Sequence, residues 1–202
     1  GAQVASARSP SISANGQFVA FESSASTVVP GDNNNYWDVF LRDRGALPPT
    51  TGFCFGDGSE PAQTTPCPCA NFGAFGRGCA NSVFPAGAGL TGTGTTSIAN
   101  DTVVFAATEL TGSACVFFQG SAQQAPVIVD DGLGCVAGTL VRLGTKPVAA
   151  NTSAFPLGAD PRISVRGALP AAGGTYVYQA FYRNVAGLFC PPATSNRTNG
   201  VV

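Results

Sequence analysis

Histidine and methionine are absent from this 202-residue chain, lysine occurs once, and charged residues make up 10%, against about 25% in an average soluble domain. Each shortage excludes something. Without histidine there is no Ser-His-Asp or Cys-His pair and no ordinary general base near neutral pH. Ten basic residues against eleven acidic ones leave a net charge of −1, which gives no electrostatic basis for binding nucleic acid or an anionic membrane. No run reaches the roughly 18 apolar residues of a membrane span, and no long amphipathic helical pattern is present. With no methionine to start it, the chain reads as a processed product or an excerpt. Gly1-Ala2-Gln3 would suit a mature end left by signal-peptide removal.

In place of charge the chain carries 26 glycines and 15 prolines, with many Ser, Thr and Asn. Its seven cysteines, at 54, 67, 69, 79, 115, 135 and 190, favour an oxidising compartment and an extracellular or cell-surface location. Three sequons, at Asn100, Asn151 and Asn196, permit glycosylation in a secreted protein. The adjacent carboxylates Asp130 and Asp131 would point to opposite faces of a strand. Followed by Gly132, they shape a turn rather than a glycosidase pair. No catalytic residue is assigned, and the chain is not expected to be an enzyme.

Short apolar runs between turn signals predict an all-β fold. In residues 1–44, Gln17–Phe21 follows the turn dipeptide Asn15-Gly16, with Ile12 and Ser13 on the partner strand. Val39-Phe40-Leu41 makes a third strand after the loop Pro30–Asn35. Residues 45–51, with Pro48-Pro49, read as a linker. Residues 52–202 hold a Cys/Gly-rich loop region followed by runs at Thr102–Ala107, Cys115–Gln119, Pro126–Val129, Gly138–Leu143, Arg162–Arg166 and Thr175–Tyr182. Runs of this kind indicate an antiparallel, jelly-roll-like sandwich.

Two segments resemble known families. Ser9-Pro10-Ser11-Ile12-Ser13-Ala14-Asn15-Gly16-Gln17-Phe18-Val19-Ala20-Phe21-Glu22-Ser23, with Pro30-Gly31-Asp32 and Asp38-Val39-Phe40-Leu41-Arg42-Asp43, resembles one TolB-type β-propeller repeat. Asn15 stands where that repeat usually has Asp. Residues 52–202 resemble a domain of secreted planctomycete and myxobacterial proteins that has no assigned activity. The resemblance is carried by Cys54-Phe55-Gly56-Asp57-Gly58, Cys67-Pro68-Cys69-Ala70-Asn71, Gly78-Cys79-Ala80-Asn81-Ser82, Phe117-Phe118-Gln119-Gly120, Asp131-Gly132-Leu133-Gly134-Cys135, Tyr178–Asn184 and Thr198-Asn199-Gly200. It implies an exported bacterial protein.

Cys54, Cys67, Cys69, Cys79, Cys135 and Cys190 fit that domain's pattern, and the expected pairs are Cys69–Cys79, Cys54–Cys67 and Cys135–Cys190. The first would close a short Gly-rich loop. Cys115 is left over as a buried free thiol. Cys54, Cys67, Cys69 and Cys79 could instead offer four thiols to zinc, but Cys-x-Cys is not the usual structural spacing.

Asp32, Asn34 and Asp38 carry oxygens of the kind calcium takes, without the glycine and terminal Glu of an EF-hand. The alternative is that they satisfy turn backbone groups; beyond calcium, no cofactor is expected. Tyr176, Tyr178 and Tyr182 share a strand face with Ala180. That row is either a sugar-stacking platform or sandwich core, and core is the better reading. Phe18, Phe21, Trp37 and Phe40 are the expected interface residues.

A propeller needs about 4 to 8 blades, and one three-stranded unit alone is marginal in water. The leading expectation is therefore a structural subunit of an extracellular fibre, filament or surface layer. Its partners would be copies of itself, joined by strand packing or donation from the N-terminal arm. The alternative is a carbohydrate- or surface-binding module of a larger secreted protein.

Overall fold

The computed structural model describes residues 7–13, 17–34, 36–43, 50–60, 63–184, 189–190 and 194–202. The Asn15-Gly16 turn and most of the 45–51 linker lie outside them. The chain divides into two compact units, Gly1–Pro48 and Pro49–Val202. The first is an antiparallel sheet of β1 (Ala7–Ile12), β2 (Phe18–Ser23) and β3 (Asp38–Asp43), in the order β1-β2-β3.

The second unit contains β4 (Gly52–Phe53), β5 (Gly89–Thr93), β6 (Val104–Thr108), β7 (Ala114–Gly120), β8 (Ala122–Val129), β9 (Gly132–Ala137), β10 (Val141–Pro147), β11 (Ser153–Phe155), the single turn α1 (Ile163–Arg166), β12 (Val177–Arg183), β13 (Ser195–Arg197) and β14 (Gly200–Val201). Its central sheet runs β10-β7-β12-β14-β4, with β13 also paired to β12. A smaller sheet, β11-β6-β5, and a hairpin, β8-β9, complete it. All these pairings are antiparallel.

Side-chain alternation along β7 and β12 explains why two elements cover the central sheet. Phe117, Tyr178, Ala180 and Tyr182 join Phe105, Leu90 and Phe155 of the smaller sheet in one core. Phe105 and Tyr178 meet at a ring-centroid distance of 4.5 Å. Val177 points the other way, into a second core with Leu133, Val136 and the half-cystines Cys54, Cys67, Cys79 and Cys135. Both faces of the sheet are thus dry, and Gln179 within it is fully buried. The tyrosine row is core: Tyr178 and Tyr182 are 8% and 0% exposed.

With few charges available, side-chain amides carry the buried polar bonding. Gln179 donates from Nε2 to the carbonyls of Leu133 (2.8 Å) and Thr198 (2.7 Å). Asn199 accepts from the Leu90 N–H at 2.7 Å and donates back to the Leu90 carbonyl at 3.1 Å. It thereby ties β5 to the central sheet as a strand residue would. Glycine lets the layers approach: a Cβ on Gly120 would meet Val136 Cγ1 at 2.4 Å, and one on Gly78 the Arg197 carbonyl at 2.3 Å.

Two expectations need correction. Arg162–Arg166 is a helical turn, not a strand. The N–H groups of Arg166 and Gly167 donate to the carbonyls four residues earlier, and Ser164 N–H donates to Asp101 Oδ2.

The disulfides are Cys54–Cys135, Cys67–Cys79 and Cys69–Cys190, not the expected pairs. The 3-10 turn Pro68–Ala70 separates the Cys-Pro-Cys thiols, since Cys69 adopts a φ of 55°. Cys67 turns into the second core towards Cys79, while Cys69 stays at the surface and meets Cys190. Cys115 is a free thiol at 0% exposure.

Loop closure alone is worth about 3 kcal/mol for the Cys67–Cys79 separation of 12 residues and about 4.5–5 kcal/mol for separations of 81 and 121. Cys54 and Cys135 add buried packing to a long loop. Replacing both with serine should therefore lower stability more than the corresponding Cys67/Cys79 double replacement, as measured by urea unfolding. Burial pushes the Cys115 thiol up to about 12, so an aromatic disulfide reagent at mildly alkaline pH should find no reactive thiol until the protein is denatured, and then one.

Candidate interaction surface

Both faces of the first unit's sheet carry apolar side chains interspersed with charged ones. Cross-strand register puts Phe18 opposite Asp43, Ala20 opposite Leu41 and Glu22 opposite Val39 on one face. The other face carries Val19, with Ile12 opposite it on β1, and Phe21, with Phe40 opposite it on β3. The Phe21 and Phe40 rings stack at 5.7 Å.

Among the described residues of this unit only Ser23 is buried, and no hydrophobic side chain is. Val39 is 76% exposed, Leu41 68% and Ile12 60%. A sheet with one wet face shows polar residues there. Here both faces are mixed: Arg8, Glu22 and Asp43 share one with Ala20, Val39 and Leu41, and Arg42 and Asp38 share the other with Val19, Phe21 and Phe40.

Of the expected interface residues, Phe18, Phe21 and Phe40 are half-buried within the sheet. Trp37 is partly capped: the Arg8 guanidinium lies 3.8 Å from its ring centroid while Nε bonds Glu22 at 2.7 Å. Within the three strands, the most exposed apolar side chains are aliphatic, and Tyr36 in the loop before β3 is 75% exposed. Ile12, not among the expected interface residues, is exposed opposite Val19.

In the loop before β3, Asn34 Oδ1 accepts the Tyr36 N–H at 2.9 Å, an Asx turn of the kind that competes with a calcium reading. Asp38 opens β3 opposite Ser23, and Asp32 sits in the preceding loop. Among the described residues, no three His, Cys, Asp or Glu side chains converge to hold a metal.

The sequons differ in access. Asn100 and Asn151 are exposed, and Asn151 Nδ2 donates to the Leu110 carbonyl at 3.0 Å. Asn196 is 0% exposed and donates from Nδ2 to the Ala80 carbonyl at 2.8 Å. A glycan at Asn196 is incompatible with the folded chain, which corrects that expectation.

Asp130 and Asp131 form the turn between β8 and β9. Asp131 is 1% exposed, and its Oδ2 accepts Asn184 Nδ2 at 2.6 Å. Its Oδ1 has no partner. No family model, curated protein or solved structure matches the chain, so functional inference rests on this geometry and on the sequence.

Burial raises the Asp131 pKa, Asn184 opposes the rise, and the Asp130 charge adds to it. An acid whose folded pKa is raised stabilises the fold fully below its unfolded value, near 4. That contribution is lost as pH rises through the folded pKa. Asp131→Asn removes the charge, so the variant should gain stability relative to wild type as pH rises above about 4. Parallel urea-unfolding profiles would show that Asp131 is not the titrating group.

Proposed function

We propose that the chain is a structural subunit of an extracellular fibre, filament or surface layer, in which the β1-β2-β3 sheet of one copy packs against, or adds a strand to, the next copy. The observation that carries this reading is the lack of any buried hydrophobic side chain among the described residues of that sheet. An isolated three-stranded unit needs an apolar face covered to be stable. This one exposes apolar side chains on both faces, and β1 and β3 are its outer strands among the described residues.

The resemblance of residues 9–43 to a propeller blade supports the same physical picture, because a blade is stabilised by the sheets on either side of it. A head-to-tail contact of this sort closes into a ring or runs on as a filament, depending on the rotation per subunit. The three disulfides fit an oxidising environment. Among the described residues no helix is long and apolar enough to cross a membrane. A polysaccharide partner has weaker support, since Tyr178 and Tyr182 lie inside the core.

The second unit has its own cores and disulfides, so removing residues 1–44 should leave it folded and monomeric. Val39→Asp with Leu41→Asp is the gentler test, because both positions are exposed in the single chain. Burying these two side chains against a neighbour contributes roughly 3 kcal/mol, about a hundredfold in association constant. The double variant should therefore need about a hundredfold higher concentration to assemble, as followed by light scattering and negative-stain imaging. Filaments that persist after deletion of residues 1–44, or a wild-type chain that stays monomeric when concentrated, would overturn the proposal.

A further inference from the structure

The second unit holds a cleft of about 330 Å³ framed by the connections 94–103 and 167–176. Its walls are Ile98, Leu169 and the rings of Phe105, Tyr176 and Tyr178, and Asp101 lines it too. Asp101 is 5% exposed. Its Oδ1 accepts the Val103 N–H at 3.1 Å and its Oδ2 the Ser164 N–H at 2.6 Å. Two backbone donors fix the carboxylate in place but do not neutralise it. Among the described residues, no arginine or lysine lines the cleft and none forms an ion pair with Asp101.

The two backbone donors offset much of the cost of burying this carboxylate, and its charge remains available to attract a cation. Aromatic rings beside it add attraction of the same sign, because ring faces are electron-rich. The field of Asp101 reaches the rings: together with burial, the Asp101 and Tyr176 charges push the Tyr178 hydroxyl pKa up. The apolar lining suits a ligand with a hydrocarbon body and one positive end.

We propose that this cleft binds a small organic ammonium ion, its charge set against Asp101 and the half-buried Tyr176 and its apolar part against Ile98 and Leu169. The site lies within the second unit and does not depend on assembly. As a purely structural cap, Asp101 would hold the 101–103 turn and α1 and show no preference for charged ligands.

Isothermal titration of the full chain with choline and with 3,3-dimethyl-1-butanol, its uncharged counterpart in shape, separates the two roles. Choline should bind at least about tenfold more tightly, and its affinity should fall as salt is raised. Asp101→Asn should remove that preference. Should Asp101→Asn fail to fold, Tyr176→Leu at the half-buried rim, which keeps an apolar side chain against the core, should weaken choline about tenfold and leave 3,3-dimethyl-1-butanol unaffected. Equal affinity for the two probes, no binding at millimolar choline, or folded variants that bind choline as wild type does would overturn the proposal.

Discussion

A β-sheet must cover its apolar faces, and the two units of this chain differ in how far they do so. In the second unit the central sheet has β5, β6 and β11 over one face and the β8-β9 hairpin with the half-cystines over the other. In the first unit Val19, Phe21 and Phe40 on one face and Ala20, Val39 and Leu41 on the other belong to neither core. That difference underlies the proposed function: one unit has its own hydrophobic cores, and the other has no buried hydrophobic side chain among its described residues. Hydrogen bonds along β1-β2-β3 hold its shape, but they supply none of the apolar burial on which a stable domain depends.

The second unit also illustrates how a protein with few charges builds a polar interior. Asn81, Asn184, Asn196, Asn199 and Gln179 are buried and use amide groups as both donors and acceptors. A neutral amide avoids the desolvation cost of a buried ion while matching the backbone groups of irregular loops. Asn81, for example, donates to the Glu109 carbonyl and the Tyr182 hydroxyl and accepts from the Val83 and Phe84 N–H groups. The buried carboxylates of Asp101 and Asp131 depart from this economy, and one oxygen of Asp131 has no partner.

The all-β character was legible wherever Val, Phe and Tyr recur. The expected runs at Thr102–Ala107, Cys115–Gln119 and Thr175–Tyr182 overlap β6, β7 and β12. β5, with the sequence Gly-Leu-Thr-Gly-Thr, and β9, with Gly-Leu-Gly-Cys-Val-Ala, were not foreseen. Their glycines argue locally against a strand, yet both strands are largely buried, so tertiary packing overrides the local preference. Disulfide pairing was illegible for a related reason. The left-handed conformation of Cys69 sends two near-adjacent thiols to different partners, and spacing does not encode that. The sheet with apolar side chains on both faces was readable from alternation, whereas the cleft beside Asp101 depends on tertiary contact between the 94–103 connection and β12.

Hydrogen–deuterium exchange across a dilution series of the full chain addresses the β1-β2-β3 sheet most directly. Amides of β1, β2 and β3 should exchange with little protection in dilute solution and gain protection as concentration rises, while those of β7 and β12 stay protected throughout. Strong protection of β1–β3 that does not change with concentration would mean that the sheet is stable without a neighbour, which contradicts this account.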